Sequence, residues 1–317
     1  MSLESEQVMD QIRLRRRLVF WRIAAVFLFV CALMLAVGAR MHPLAGQPHL
    51  ARLKVNGIIT DDSDRIALIN RAARDPAVRG LILAIDSPGG SVAGGENLHD
   101  ALARFAAAKP VVTVMGGVAA SAGYMIAVPS ARIFASNATL TGSIGVLLQS
   151  PDVSGLLGKL GVSVDELVSG PLKGQPSVVK PLSPEGRAML QGIVMDLYDQ
   201  FVTMVASGRH MTPDRVRALA DGRPFTGRQA LKLGLIDAIG TEADARAWLA
   251  RNKGIGLDVG VADLHEPGEG PWWRPHFGSL LGGAADRVVA SVIGNTLAKT
   301  LMSQGLVIDG AVALWQP

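Results

Sequence analysis

One cysteine, Cys31, serves the whole chain, and it falls inside an apolar stretch near the N-terminus. The rest of the sequence therefore has neither a disulfide framework nor a cysteine-based zinc site. The histidines at 42, 49, 99, 210, 265 and 276 show no metal-ligand spacing and the HExxH pattern is absent, so the residues point to no metal and no cofactor. Basic charge is also sparse where nucleic acid would need it. The formal net charge is +4, but residues 1–40 hold six arginines against Glu4, Glu6 and Asp10, which leaves +1 for everything that follows. Without a basic stripe on the main body there is no electrostatic footprint for a phosphate backbone, and no nucleic-acid partner is expected.

What is present is apolar and small. Hydrophobic residues make up 49% of the chain and charged residues 18%, which excludes a disordered protein. Aromatics are only 5% while glycine is abundant at 36 residues, a composition that suits tight turns and close helix-on-sheet packing and so an α/β fold.

Between Arg22 and Arg40 no residue is charged. Ile23 to Ala39 is just long enough, at ~1.5 Å per residue, to cross a thin hydrocarbon core. Arg13, Arg15, Arg16 and Arg17 form the denser basic flank, so the positive-inside rule keeps the N-terminus in the cytoplasm and exports the remainder. A cleaved signal peptide is the alternative, since Val37-Gly38-Ala39 offers small residues before a cut, but the apolar run exceeds the usual length of such a segment. The expected organisation is a basic cytoplasmic N-terminus over 1–22, a transmembrane anchor over 23–39, a main domain over 40–253 and a C-terminal extension over 254–317. The extension reads as an interaction element, contacting subunits or the membrane. The location that follows is the inner (cytoplasmic) membrane, single-pass, with the main domain on the periplasmic or extracytoplasmic side.

From Leu50 to about Ala250 strand-like and helix-like stretches alternate, the signal for parallel βαβ units. Strands are expected at Val55–Ile59, Gly80–Asp86 and Val111–Met115, the second so continuously apolar that both its faces must be buried. Helices are expected at 64–73, 94–107, 121–128, a long one from Ser183-Pro184-Glu185 through Ser207, and shorter ones at 213–220, 227–233 and 242–251.

Three segments carry chemistry. Asp86-Ser87-Pro88-Gly89-Gly90-Ser91 reads as a strand-to-helix turn whose glycines let free N–H groups approach a ligand; alone, an ordinary turn is the simpler reading. Ala119-Ala120-Ser121-Ala122-Gly123-Tyr124 again joins a strand to a helix. Small neighbours leave the Ser121 hydroxyl accessible and set the Ala122 N–H beside an attacked carbonyl; the plain alternative is a serine capping a helix. Ser169-Gly170-Pro171-Leu172-Lys173 holds a lysine with no charged neighbour in sequence. To act as a base it must be neutral, which requires a pKa ~3 units below the usual ~10.4, within reach of burial; alone, a surface lysine is the simpler reading.

Together with Thr141-Gly142-Ser143-Ile144-Gly145-Val146 and Ala220-Asp221-Gly222-Arg223-Pro224-Phe225-Thr226-Gly227, these segments follow the order seen in the signal peptide peptidase A family. The resemblance, to the short form with a single catalytic domain, covers about Val55 to Ala250. It implies a Clp-protease/crotonase-like fold, assembled into a homo-oligomeric ring in which neighbouring subunits help form each site. It also implies a serine endopeptidase with a Ser-Lys dyad that degrades remnant signal peptides and other apolar peptides near the membrane. Ser121 matches the nucleophile, Lys173 the general base, and Ser143 a serine that orients the lysine. Gly89 and Gly90 match the oxyanion segment, with Gly90 preferred and the Ala122 N–H as second donor, although relatives often have glycine at position 122. Two other readings share the fold: a catalytically silent membrane scaffold, and a crotonase-type acyl-CoA enzyme, which export from the cytosol disfavours. Ala311-Val312-Ala313 resembles a small-residue cleavage site, and the tail that carries it is expected either to enter an active site or to be irregular and exposed.

Overall fold

The computed structural model describes residues 20–22, 24–26, 28–29 and 46–265, together with the backbone of 312–314. Residues 20–22, 24–26 and 28–29 are helical and belong to a unit, Met1–Gln47, separate from the unit Pro48–Pro317. Most of the expected anchor, 23–39, lies outside the described residues. Among those described, no helix is long and apolar enough to cross a membrane.

The second unit is built on a mostly parallel sheet. In chain order its elements are β1 (His49–Ile59), α1 (Ser63–Arg74), β2 (Val78–Ser91), α2 (Val92–Ala108), β3 (Val111–Ala120), α3 (Ala122–Ala127), β4 (Arg132–Ala135) and β5 (Leu140–Gly142). They continue with α4 (Ser154–Lys159), α5 (Pro184–Arg209), α6 (Pro213–Arg217), β6 (Pro224–Thr226), α7 (Gly227–Leu233), β7 (Ala238–Ile239), α8 (Glu242–Lys253), β8 (Gly260–Asp263) and β9 (Val312–Leu314). Strand order is β6-β5-β3-β2-β1-β8, with β4 and β7 continuing from β3 and β9 added on β2. Among the described residues, only the β5–β6 and β2–β9 pairs are antiparallel.

The alternation of side chains along each strand decides the layers. Leu81, Leu83 and Ile85 of β2 join Leu53, Val55, Phe105 and Tyr124 in the main core, while Ile82 turns to the opposite face with Leu50, Val112, Phe134 and Leu249. Each such burial stabilises the fold by about 1.5–3 kcal/mol relative to exposure. This explains the unbroken apolar run of β2, which has a packed layer on each side. α1, α2 and α3 contribute to the first layer and α8 to the second.

The helix boundaries follow local signals. Ser183 accepts from the Gly186 N–H, and Pro184 occupies the first turn of α5; Thr226 and Gln229 form a reciprocal cap on α7. The strands depart further from expectation, for β1 begins at His49, β2 runs on to Ser91 and β3 to Ala120. The Pro-Gly-Gly stretch is therefore strand rather than turn. The β1–β2 ladder passes from Asp86 to Gly89 and the β2–β3 ladder from Ile85 to Ser87 through irregularities, so Pro88, which has no N–H to donate, falls where neither ladder needs one. The helix start belongs to Ser91, whose Oγ accepts from the Gly94 N–H at 3.1 Å. At the other end, β8 lies beyond residue 253 and pairs with β1 from His49 to Arg52, so the sheet extends into the expected C-terminal extension.

Candidate active site

β3 ends in Ala119 and Ala120 and delivers Ser121 at a sharp turn into α3. Ser121 has φ 54° and ψ −120°, close to the first central residue of a type II′ turn, where glycine is preferred. A side chain held there costs on the order of 1–3 kcal/mol and persists only where its surroundings impose it. Those surroundings are identifiable. The Ser121 N–H donates to the Gly142 carbonyl at 2.9 Å, and its own carbonyl accepts from the N–H groups of Tyr124 and Met125. The buried Thr141 hydroxyl donates to the Ala119 carbonyl at 2.7 Å, fastening β5 beneath the turn. A Cβ on Gly123 would lie 2.9 Å from the Ser87 carbonyl, so only glycine lets α3 settle this close to β2. Behind it, Tyr124 is fully buried and its hydroxyl donates to the Leu235 carbonyl at 2.8 Å; burial pushes that phenol well above its usual range.

Ser121 itself is 1% exposed and makes no side-chain cap on α3. The plain reading of this serine as a helix cap is thereby removed. Ala122, fully buried, opens α3, and its N–H belongs to the first helical turn, which has no partner within the helix.

Ser143 also has a positive φ, 48°, and is 5% exposed. It directly follows the Gly142 that holds Ser121, so the structure brings the two serines to adjoining turns. The Ser143 N–H donates to the Arg223 carbonyl at 3.1 Å and its hydroxyl to the Gly222 carbonyl at 3.1 Å. The Asp221-Gly222-Arg223 loop thus supports the second serine. An open cleft of about 390 Å³ begins at Ser143 and runs along Val146, Leu147, Val194, Met195 and Tyr198.

Gly89 and Gly90 lie at the tip of β2, paired with Ile58 and Ile59. Sequence reasoning gave Ser87 no role, yet this fully buried serine accepts from the Gly89 N–H at 3.1 Å and its hydroxyl lies 3.3 Å from the Gly89 carbonyl. Gly90 is demanded by packing, since a Cβ there would lie 1.8 Å from the Ile59 carbonyl oxygen. Asp86 was likewise overlooked; its carboxylate accepts from the Val118 N–H at 3.0 Å and steadies the outer part of β3.

Lys173 stands apart. It occupies an exposed turn, with its N–H on the Gly170 carbonyl at 3.1 Å, and among the described residues no hydrogen bond or ion pair joins its ammonium to Ser121 or Ser143. The segment around it, 146–182, has α4 as its one helix and exposes Leu156, Leu160 and Leu167. Within one protomer, the core does not supply the dry surroundings that a neutral lysine requires.

A parallel α/β sheet whose third strand ends in a buried, strained serine is an arrangement that a serine-type hydrolase can use, and the comparisons place the chain in that class. The comparisons then give the family: the model of peptidase family S49 matches residues 103–256. A Synechocystis sp. protein named "Putative protease slr0021" is 40% identical over 68% of this chain and 79% of its own. An Enterococcus faecium protein named "Putative signal peptide peptidase SppA" is 36% identical over 66% of this chain and 65% of its own. The chain belongs to peptidase family S49, of the SppA type. Among solved structures, a ClpP1 mutant from Listeria monocytogenes aligns over 61% of this chain and 92% of its own, at 15% identity and a TM-score of 0.40, too distant a likeness to carry an argument.

Proposed function

We propose that the protein is a membrane-anchored serine endopeptidase that degrades remnant signal peptides and other apolar peptides through an acyl-enzyme, with Ser121 as nucleophile and Lys173 as general base. The observation that carries this reading is the Ser121 turn, where a buried hydroxyl caps nothing and the backbone is held in a conformation that a serine without a function has no reason to keep.

Ser121 Oγ attacks the scissile carbonyl while neutral Lys173 takes its proton, and the lysinium returns that proton to the leaving amine. A water deprotonated by the same lysine then attacks the ester carbonyl and releases Ser121. The Ser143 hydroxyl donates to Gly222 and keeps its lone pairs for a lysine N–H. Of the two glycines, Gly90 is the better oxyanion donor, because the Gly89 N–H is already engaged by Ser87. The Ala122 N–H is the second donor. Losing one such donor raises the barrier by about 3–4 kcal/mol. The cleft beside Ser143 offers Val146, Leu147, Val194 and Met195 as an apolar wall for substrate side chains.

Because Lys173 is exposed in one protomer, the dyad is completed when subunits assemble and a neighbour covers the 146–182 segment. The partners implied are peptide substrates, the membrane and further copies of this chain. The anchor over 23–39 places the catalytic domain outside the cytoplasm, as the charge bias of residues 1–40 requires.

Hydrolysis of an apolar peptide ester by the assembled protein, compared with Ser121→Ala and Lys173→Ala, is the direct test. Both variants should keep their assembly state and lose turnover. Full turnover in either one would remove that residue from the mechanism, and inactivity of the parent toward ester and serine-directed phosphonate alike would favour the silent scaffold.

A further inference from the structure

α5 is the longest helix among the described residues, 26 positions from Pro184 to Arg209, and its two halves are held differently. Phe201, Val202, Val205 and Ala206 sit in the main core, whereas no residue from Gln191 to Gln200 is buried. Yet Val194, Met195 and Tyr198 of that outer half form one wall of the cleft that begins at Ser143. The wall is therefore placed by the far end of its helix.

That end is tied by an ion pair of fixed shape. Arg209, whose side chain is 9% exposed, donates from Nη1 and Nη2 to the two carboxylate oxygens of Asp237 at 3.0 and 2.7 Å, and from Nε to the Gly234 carbonyl at 3.0 Å. Asp237 accepts in turn from the Ile133 N–H at 2.7 Å and donates its own N–H to the Ile133 carbonyl at 3.0 Å, so the pair rests on β4. The same turn, 234–237, takes the Tyr124 hydroxyl on its Leu235 carbonyl, and Tyr124 belongs to α3, the helix that follows Ser121. One turn thus receives both the nucleophile helix and the cleft helix. The two also touch, since a Cβ on Gly208 would lie 2.2 Å from Val128 Cγ1 at the end of α3.

A buried ion pair adds little net stability, because desolvation offsets the attraction; what a two-pronged arginine–carboxylate pair adds is geometry. Met195 precedes Arg209 by 14 residues, about 21 Å along the helix axis. Over that arm a tilt of about 5° moves the cleft wall by about 2 Å, and a misplacement of about 1 Å is enough to slow a reaction heavily. Building on the peptidase reading, we propose that Arg209 and Asp237 are positioning residues, which fix the tilt of α5 and so the width of the cleft beside Ser143. That width sets how closely the cleft grips the apolar side chains of a substrate.

Arg209→Lys keeps the charge but has no fork to span Asp237 and Gly234 together. In the assembled protein it should raise KM for a bulky apolar peptide ester about 10-fold, while kcat and the rate at which a small serine-directed phosphonate labels Ser121 stay within about 2-fold of the parent. Asp237→Asn, which keeps the shape and the acceptor for the Ile133 N–H, should move KM in the same direction and carries the test if the lysine variant does not fold. A merely structural pair would lower kcat and labelling together at unchanged KM, and that result overturns the proposal. Crystal structures of parent and Arg209→Lys read the cause without any turnover: the distance from Met195 to Ser143 should change by about 2 Å, and an unchanged distance overturns the proposal as well. If the parent hydrolyses no ester, the peptidase reading fails, while the two structures still decide whether the pair sets the wall.

Discussion

Ser121 concentrates the cost of the site in one residue. At φ 54° its backbone is one that glycine adopts freely, so Ser121→Gly should match or exceed the stability of Ser121→Ala by about 1 kcal/mol while both abolish hydrolysis. Urea unfolding of the two variants measures the difference, and a less stable glycine variant would mean that the turn is not strained. Gly90 makes the opposite case. Its missing Cβ would sit 1.8 Å from the Ile59 carbonyl, so Gly90→Ala has to force β1 and β2 apart and should cost at least about 1–3 kcal/mol, read from the same unfolding curves. Loss of activity in that variant reports packing before it reports oxyanion binding. From sequence, Ser121 was legible as a candidate through its small neighbours. The positive φ and the absent cap that set Ser121 apart from an ordinary helix cap exist only once Gly142 and Thr141 fasten the turn from another strand.

Elements were legible to the extent that they are local. The helices announced themselves through Ser183-Pro184, Thr226 and the apolar spacing, and their limits shift by only a few residues. Strand ends were less visible, because β2 continues past Pro88 only where β1 and the tip of β3 are there to receive it. β8 was missed for the same reason: Gly260–Asp263 has little strand character until it lies against β1. There Asp263 meets Arg52 and Lys54, while Arg52 also reaches Glu242. The Arg52 hydrogen bond is the main reason that the Asp263 carboxyl is held down to about 2 from its usual 3.8. A depressed carboxyl stabilises the fold above its unfolded value and loses that contribution as pH falls toward its folded one. Thermal stability should therefore fall as pH drops from about 4 to 2, and Asp263→Asn should flatten the profile in that window. An identical acid profile in parent and variant would show that β8 does not depend on this pair.

At the scale of the whole molecule, one protomer buries Ser121 and exposes Lys173. The segment that carries Lys173 also presents Leu156, Leu160 and Leu167 to solvent, apolar surface that a further copy of the chain would cover. If subunits complete one another's sites, mixing inactive Ser121→Ala with inactive Lys173→Ala before assembly should restore part of the activity. A site that pairs residues from two neighbours would return roughly a quarter of the parent turnover in a random mixture. Esterase assays of the co-refolded mixture decide this, and complete inactivity would place both groups in a single chain.

The sequence by itself determined the layered parallel sheet, the order of the motifs and the identity of the serine turn. These depend on apolar periodicity, small residues and cap signals that act over a few positions. Tertiary structure alone decided that β2 runs on past Pro88 against β1, that Gly142 fastens the Ser121 turn, and that Lys173 stays outside the core of its own protomer. Each of these is a contact between segments far apart in the chain, and local patterns carry no record of which distant strand will occupy an open edge.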